Sequence, residues 1–325
     1  MLCHRTPRGK KTGGIYSLEK ATIGGVDQWL MFRGENEQAP VMLFLHGGPG
    51  AAQIGFARRY QGELEKHFVI VNWDQRGAGL SYSRDIPRES MRIDRFIADI
   101  TEIVQLIRSK IGADKVIIVG HSWGTYLGTI FSALHPDMVS AYVGVGQLDG
   151  MRENDLRTYS YLKQYYSEKD VEHTLRTLER IGPPPYTSPR DIGSSNSALL
   201  RSNAMLYSMK TWQLARTALA GPEYSILDLR RFIRGNDFSF WSLKDEVEGM
   251  DLYARVPRLK IPTYFFLGRH DHMADAELAE RYYEKLETPY KELVWFENSA
   301  HCPLFEEAVK FQKELIARTL LPRNI

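Results

Sequence analysis

The sequence predicts an α/β protein in which a mostly parallel β-sheet is flanked by helices. From Pro40 onward, short runs rich in β-branched and aromatic residues alternate with longer amphipathic runs. This alternation is typical of β-α-β units, whose parallel strands are joined by helices. The short runs are apolar along most of their length, as expected for strands that are covered on both faces. Between Gln147 and Val256 the strand pattern stops and helical patterns follow one another, which predicts a helical insertion.

Six short apolar runs define the predicted strands of the sheet. They are Val41–His46, Val69–Trp73, Lys115–Gly120, Val139–Gly146, Thr263–Gly268 and Glu292–Phe296. The predicted helices are Ala51–His67, Arg92–Ile111, Tyr126–Leu134, Ala276–Leu286 and Phe305–Leu320. In the second of these helices isoleucines recur three or four residues apart, which gives the helix one buried face. Residues 17–34 alternate less regularly and are predicted to form a leading antiparallel hairpin.

The chain divides into an interrupted core and one insertion. Its 325 residues are enough for a large buried core and a sizeable appendage. We expect residues 1–146 and 257–325 to build the two parts of the α/β core. Residues 147–256 are expected to form a helical cap, with breaks between helices at residues 182–185 and 221–222, where Gly and Pro occur.

The charge balance argues against several classes of partner. The 42 basic and 40 acidic residues nearly cancel, which leaves no electrostatic footprint for nucleic acid or an anionic membrane surface. No apolar run approaches the ~20 residues that a membrane span needs. The basic residues near the N-terminus precede no apolar stretch, so we expect a solvated tail rather than a secretory signal. These features fit a cytoplasmic protein with a small-molecule partner, and they leave the oligomeric state open.

The motif Gly120-His121-Ser122-Trp123-Gly124 directly follows a predicted strand and precedes a helical run. This order of strand, motif and helix is the setting of a nucleophile elbow, the strained turn that presents a serine in the α/β-hydrolase fold. The two glycines allow neighbouring backbone to approach the turn without a clash with Cβ. The sequence therefore predicts an α/β-hydrolase fold with Ser122 as the nucleophile.

A serine hydroxyl needs a base, and the base needs an acid that orients it. In this fold the acid precedes the histidine along the chain, and both follow late strands of the sheet. Asp271 lies just after Thr263–Gly268, and His301 lies just after Glu292–Phe296. We therefore predict His301 as the base and Asp271 as its acid. The main rival acid, Asp275, lies farther from the strand end and is expected to begin a helix.

Other histidines and the cysteines offer alternatives that the sequence does not favour. His121 lies in the elbow, where its side chain is expected to point away from the site. His270 and His272 form an HxH pair without a third metal ligand, so we interpret them as loop residues and expect no metal. Cys3 and Cys302 are far apart and have neither metal-ligand spacing nor the pattern of a disulfide framework.

The stretch His46-Gly47-Gly48-Pro49-Gly50 follows the first predicted parallel strand. In this fold one backbone N–H of that loop and the N–H of the residue after the nucleophile bind the developing oxyanion. We therefore predict Gly48 and Trp123 as the two donors. The stretch lacks the GK[ST] ending of a phosphate-binding loop and contains no GxGxxG, so no nucleotide cofactor is expected.

Three motifs together resemble the proline iminopeptidase family: HGGPG at 46–50, WDQRGAGLS at 73–81 and GHSWG at 120–124. The resemblance implies release of an N-terminal residue, often proline, from a peptide or small amide without a cofactor. Members of that family bind the substrate ammonium with glutamates of the cap, and the stretch 221–224 resembles a part of the cap that carries one. The resemblance therefore implies Glu223 as an amine anchor. His272 stands where some relatives have a second acidic residue, which weakens the implied preference for proline.

Two other functions compete with an aminopeptidase. The same triad serves a carboxylesterase or amidase whose substrate has no free amine, and Glu223 is the residue that separates the two possibilities. A non-catalytic binding protein on the same fold would be expected to have lost the nucleophile, the base or the oxyanion loop, and this sequence retains all three. An epoxide hydrolase would carry an aspartate nucleophile at the position of Ser122.

Overall fold

The computed structural model describes residues 4–9 and 12–320. Its core is one eight-stranded sheet with the strand order β1-β2-β4-β3-β5-β6-β7-β8. The strands are β1 Ile15–Ile23, β2 Val26–Gly34, β3 Val41–Leu45, β4 Val69–Asp74, β5 Val116–His121, β6 Val139–Val145, β7 Thr263–Gly268 and β8 Lys291–Phe296. The pairs β1–β2 and β2–β4 are antiparallel and all other pairs are parallel. The predicted fold class is confirmed.

Helices cover both faces of the sheet. They are α1 Ile54–Tyr60, α2 Ile93–Ile111, α3 Trp123–Leu134, α4 Met151–Glu168, α5 Glu172–Ile181, α6 Pro189–Arg201, α7 Thr211–Ala220, α8 Ile226–Glu248, α9 Leu252–Arg255, α10 Ala276–Lys285, α11 Pro303–Glu306 and α12 Ala308–Thr319. Successive residues of β3 enter two different apolar clusters, because side chains alternate between the faces of a strand. Helix α2 packs its isoleucine face on one side of the sheet, and α12 packs Phe311 and Leu315 on the other.

Two predicted helices are interrupted in the structure. The run predicted as a helix over Ala51–His67 ends at Tyr60 and continues as a short 3₁₀ turn, Leu64–Lys66. Between them the Gln312 side chain accepts a hydrogen bond from the Glu63 N–H at 2.8 Å, which takes a donor that a continuous helix would use. The C-terminal helix is likewise split between α11 and α12, where the Glu307 carboxylate accepts the Asn298 N–H.

The segment 147–256, which we call the cap, contains α4 to α9 and lies between β6 and β7. It has a small apolar cluster of its own around Leu162 and Leu178. Helix α8 packs on the core, where the Ser239 hydroxyl donates to the Gly77 carbonyl at 3.1 Å. No helix within 4–9 and 12–320 is long and apolar enough to cross a membrane.

The N-terminal segment is packed rather than solvated over part of its length. The His4 ring lies 2.9 Å from the Asp228 carboxylate of the cap. The Thr6 hydroxyl donates to Glu223 at 3.0 Å and accepts from Arg33 of β2 at 2.6 Å. The expectation of a solvated tail is therefore wrong for these two residues, because the core and the cap supply partners for their polar groups. Cys3 lies outside the described residues.

Candidate active site

Ser122 occupies a strained turn between β5 and α3. Its backbone angles are φ 53° and ψ −120°, a conformation that L-residues rarely adopt. Such a residue costs on the order of 1–3 kcal/mol and persists only where its surroundings enforce it. Here the Ser122 N–H donates to the Val145 carbonyl at 3.0 Å, and the Thr125 hydroxyl donates to the Ser122 carbonyl at 2.6 Å. These bonds fix the turn that carries the hydroxyl.

The glycines of the elbow are required by close backbone approach. A Cβ on Gly124 would overlap the carbonyl oxygen of Leu45, and a Cβ on Gly120 would overlap that of Gly124. A Cβ on Gly47 would lie 3.2 Å from Cβ of Ser122, so the loop after β3 lies directly against the serine. The spacing of glycines in the motif thus has a steric cause.

His301 and Asp271 form a buried pair. The His301 Nδ1 lies 2.8 Å from the Asp271 Oδ2, and both residues are 2% exposed. The other oxygen of Asp271 accepts the backbone N–H groups of Met273 and Ala274 at 3.0 and 2.9 Å. A carboxylate with three donors around it holds the ring with Nδ1 protonated, which leaves Nε2 as the nitrogen with a lone pair. Within the described residues this buried Nε2 has no hydrogen-bond partner.

His121 joins the elbow to the histidine loop. Its Nε2 donates to the His301 carbonyl at 2.9 Å, and the two rings lie 4.9 Å apart between centroids. The ring therefore packs beside His301, and the expectation from the sequence that it points away from the site is wrong. Burial lowers the pKa of His121 to about 3, so the ring is neutral at pH 7. Its bonds hold the backbone of His301, while the His301 ring is held by Asp271.

The loop after β3 is held by the ring of His46. The Gln75 N–H donates to the His46 Nε2 at 3.0 Å, so the proton of this neutral ring is on Nδ1, which donates to the Gly47 carbonyl at 2.8 Å. Burial lowers the pKa of His46 to about 4. The Ala51 N–H donates to the same Gly47 carbonyl at 3.1 Å. Because C=O and N–H point in opposite directions across a trans peptide, the Gly48 N–H is directed away from these groups.

The predicted oxyanion donors are both unused by the protein. Within residues 4–9 and 12–320, no group accepts a hydrogen bond from the Gly48 N–H or from the Trp123 N–H. Trp123 is the first residue of α3, a position at which the N–H has no intrahelical acceptor and the helix dipole favours negative charge. Two free N–H groups next to a serine can stabilise a developing oxyanion.

The rival residues are bound elsewhere. Asp275 is the N-cap of α10, where it accepts the Leu278 N–H at 3.1 Å, and it pairs with Arg157 at 3.2 Å. His270 stacks on Tyr207 of the cap at 3.6 Å between ring centroids, and His272 stacks on Tyr161 at 3.8 Å. Among the residues that the structure describes, no group of three or more His, Cys, Asp or Glu could hold a metal ion.

Cap residues 204–208 bind the loop that follows β7 and the loop that carries His301, a contact that sequence reasoning missed. The His301 N–H donates to the Met205 carbonyl at 3.1 Å, and the His272 N–H donates to the Ala204 carbonyl at 3.3 Å. The Glu306 carboxylate accepts the N–H groups of Tyr207 and Ala300 at 2.7 and 2.8 Å, so it joins the cap to the residue before His301. No motif marks these positions, since most of the bonds use backbone groups.

Glu223 is buried in an ion pair. It is 1% exposed, and its Oε1 accepts from the Arg58 Nε at 2.8 Å and from the Thr6 hydroxyl at 3.0 Å. A substrate ammonium that reached this carboxylate would therefore share it with Arg58. The adjacent Tyr224 donates to the buried Asp74 carboxylate of β4, which connects the cap to the second motif of the sequence.

Residues 40–308 match the family described as the alpha/beta hydrolase fold. The chain belongs to the α/β-hydrolase family. This hydrolase is 36% identical over 315 residues to a probable aminopeptidase, YbaC, of Bacillus subtilis (strain 168), an alignment that covers 93% of this chain and 95% of the relative. It is 25% identical over 277 residues to a proline iminopeptidase of Heyndrickxia coagulans, with 85% of this chain and 89% of the relative covered.

A solved structure has the same fold as the hydrolase. The crystal structure of a proline iminopeptidase of Mycobacterium smegmatis superposes with a TM-score of 0.67 at 16% identity, over 94% of this chain and 97% of the other. At this identity the likeness establishes the fold alone. Together with the sequence relatives, it confirms that the hydrolase resembles the proline iminopeptidases.

Proposed function

We propose that this protein is a serine aminopeptidase that releases an N-terminal residue, proline or another small or apolar residue, from peptides or small amides. One observation carries the proposal: the buried Nε2 of His301 has no partner among the described residues, while its Nδ1 is bound to Asp271 and an elbow serine lies on the neighbouring loop. The aminopeptidase and proline iminopeptidase relatives support the choice of substrate class. The proposed setting is the cytoplasm, with a small substrate and neither nucleic acid nor membrane as partner.

In the proposed acylation step, the Ser122 Oγ attacks the carbonyl carbon of the scissile amide. His301 Nε2 takes the hydroxyl proton, and Asp271 stabilises the imidazolium that forms. The N–H groups of Gly48 and Trp123 donate to the carbonyl oxygen as it becomes an oxyanion. The imidazolium then gives its proton to the leaving nitrogen, the C–N bond breaks, and an ester joins the released residue to Ser122.

Water completes the proposed cycle. His301 Nε2 takes a proton from a water molecule, whose oxygen attacks the acyl carbon and forms a second tetrahedral intermediate on the same oxyanion donors. The intermediate collapses, the proton returns to Ser122 Oγ, and the free amino acid leaves. Ser122 is 8% exposed and His301 is 2% exposed, so we propose that the cap moves to admit substrate.

The proposed amine anchor is Glu223, the residue implied by the family resemblance. Its pairing with Arg58 favours the competing function, a carboxylesterase or amidase without a requirement for an amine, since the carboxylate already has a cation. The two functions differ in one measurable property, the response to blocking the α-amino group of the substrate.

The deciding experiment compares three sets of substrates with the wild-type protein and with Ser122→Ala. The sets are aminoacyl 4-nitroanilides, their N-acetyl derivatives and short-chain 4-nitrophenyl esters. We expect the wild type to cleave the free-amine anilides with a kcat/KM at least tenfold above the acetylated ones, and we expect Ser122→Ala to lose roughly 10⁴-fold or more of the rate. Equal cleavage of free and acetylated anilides would replace the aminopeptidase with the amidase or esterase. Undiminished turnover by folded Ser122→Ala would refute the serine mechanism.

A further inference from the structure

The side chain of Gln75 connects the two elements that carry the oxyanion donors. It is 1% exposed and lies just after β4. Its Nε2 donates to the His46 carbonyl at 2.9 Å, and its Oε1 accepts from the Trp123 indole Nε1 at 3.0 Å. Its backbone N–H donates to the His46 ring at 3.0 Å. Three bonds from one residue therefore end on the loop after β3 and on the start of α3.

The loop after β3 and the start of α3 each carry one of the two predicted oxyanion donors. The His46 carbonyl begins the loop whose Gly48 N–H has no acceptor among the described residues, and the His46 ring fixes the direction of that N–H through the Gly47 carbonyl. Trp123 supplies the second N–H from its backbone. A bridge of hydrogen bonds thus runs from His46 through Gln75 to the Trp123 indole and links the two elements that carry the donors.

We propose that Gln75 is a positioning residue that holds the two oxyanion donors at their working separation, an inference that rests on the proposed acyl transfer at Ser122. An amide fits this position because it provides an N–H for the His46 carbonyl and an oxygen for the Trp123 indole. A carboxylate could not donate to the His46 carbonyl. An apolar side chain could make neither this bond nor the bond to the Trp123 indole. Oxyanion stabilisation depends on donors placed within a few tenths of an ångström, so a loosened bridge acts on the transition state rather than on substrate binding.

The test compares Gln75→Met with the matched control Gln61→Met. Gln61 is also a buried glutamine, and its amide pairs with Asn72 of β4 at 2.8 and 3.2 Å. Within the part of the chain that the structure describes, its side chain makes no hydrogen bond to either oxyanion element. Methionine has nearly the volume of glutamine, and both changes leave a buried polar partner without its hydrogen bond. A general loss of stability should therefore appear in both variants, and a specific loss of kcat should appear only in Gln75→Met.

We expect Gln75→Met to lower kcat by roughly ten- to a hundredfold, with KM changed by less than about threefold. The inhibition constant of a boronic acid, which forms a tetrahedral adduct with the serine, should rise by the same factor as kcat/KM falls, because the adduct uses the same donors. The pH profile of kcat/KM should stay in place, since the His301–Asp271 pair is not touched. Gln61→Met should keep the wild-type kcat and boronate affinity.

A double-mutant cycle with Trp123→Phe tests whether the contacts of Gln75 with His46 and with the Trp123 indole act as one unit. This substitution removes the indole N–H but keeps the backbone N–H of residue 123. If the bridge acts as a unit, Gln75→Met should add little to the loss caused by Trp123→Phe. Additive losses would overturn the proposal, as would equal losses in Gln75→Met and Gln61→Met or a wild-type kcat in Gln75→Met. Failure of the serine mechanism is distinguishable, because Ser122→Ala would then retain turnover.

Discussion

Asp271 and Asp275 are only four residues apart, yet their surroundings differ and predict different roles. Asp271 accepts His301 Nδ1 at 2.8 Å in a site closed to solvent, whereas Asp275 caps α10 and pairs with Arg157. An aspartate that holds the imidazole tautomer contributes to catalysis, and an N-cap aspartate contributes about 1 kcal/mol to stability.

We therefore expect Asp271→Asn to lower kcat by about 10³- to 10⁴-fold, because the neutral amide cannot stabilise the imidazolium that forms on His301. Asp275→Asn should keep kcat within a fewfold of the wild type and should lower the thermal unfolding temperature slightly. Steady-state kinetics on one aminoacyl anilide, together with thermal unfolding of both variants, measures the two effects. The opposite ranking of kcat would move the acid to Asp275.

The candidate side chains that the sequence indicates are those tied to a rule of chain order. Ser122, Asp271 and His301 follow strand ends in the order that the fold imposes, and the structure brings the last two within 2.8 Å. Gln75 and Glu306 could not be assigned in the same way. The partners that join these residues to other elements are a backbone carbonyl, an indole and a backbone N–H of the cap, which lie 29 to 99 residues away in sequence, and no local pattern encodes such contacts.

The short link between α7 and α8 is an element whose role the sequence leaves open. Its Glu223 joins three parts of the molecule, since it pairs with Arg58 of α1 and with Thr6 of the N-terminal segment. The carboxylate therefore stabilises the packing of the cap on the core, whether or not it also binds a substrate ammonium.

Glu223→Gln separates these roles. If the carboxylate anchors the amine, kcat/KM should fall roughly ten- to a hundredfold for aminoacyl anilides while small neutral esters are cleaved almost as before. If it serves only the ion pair with Arg58, both substrate types should be affected alike and the unfolding temperature should fall. Arg58→Gln is the matched control, because it breaks the same pair and leaves the carboxylate in place. A selective loss in Arg58→Gln as well would argue against the anchor.

Strands were easier to predict than helix ends. Each parallel strand is an apolar run bounded by turn residues, and this pattern is local. The end of α1 is not local, because the distant Gln312 side chain binds the backbone N–H of Glu63. Contacts of this kind end a helix at places where the amphipathic pattern itself continues.

The molecule as a whole buries two histidines that must stay neutral. Burial lowers the pKa of His46 to about 4 and that of His121 to about 3, while an unfolded histidine titrates near 6.5. When the pKa of a histidine is lower in the folded state than in the unfolded state, its contribution to stability is fully present above the unfolded-state pKa. That contribution is lost as the pH falls from the unfolded-state pKa toward the folded-state pKa. Burial of Asp74 acts in the opposite direction, since it raises the pKa of that carboxyl to about 6 and favours the folded state in acid.

We expect His46 and His121 each to lower the free energy of unfolding by on the order of 3 kcal/mol as the pH drops from about 6.5 to about 4. The carboxyls of Asp74 and Asp155, whose pKa values are raised to about 6 by burial, oppose this loss over the same window. Urea unfolding at several pH values in this window measures the slope. Relative to the wild type, His121→Asn should lose less free energy of unfolding over this window, because asparagine can still donate to the His301 carbonyl and carries no titratable group. An unchanged slope in that variant would show that His121 does not contribute to the acid sensitivity.

The bond from the His301 N–H to the Met205 carbonyl makes one backbone amide a reporter of cap motion. Deuterium can replace that amide hydrogen only when the cap segment lifts from the histidine loop, so the exchange rate counts opening events. We expect His301 to exchange faster than Ser122, whose N–H donates to Val145 within the core. A covalent inhibitor on Ser122 should slow exchange at His301 and His272. Equal exchange at His301 and Ser122 in the free protein would mean that the cap opens only when the whole molecule unfolds.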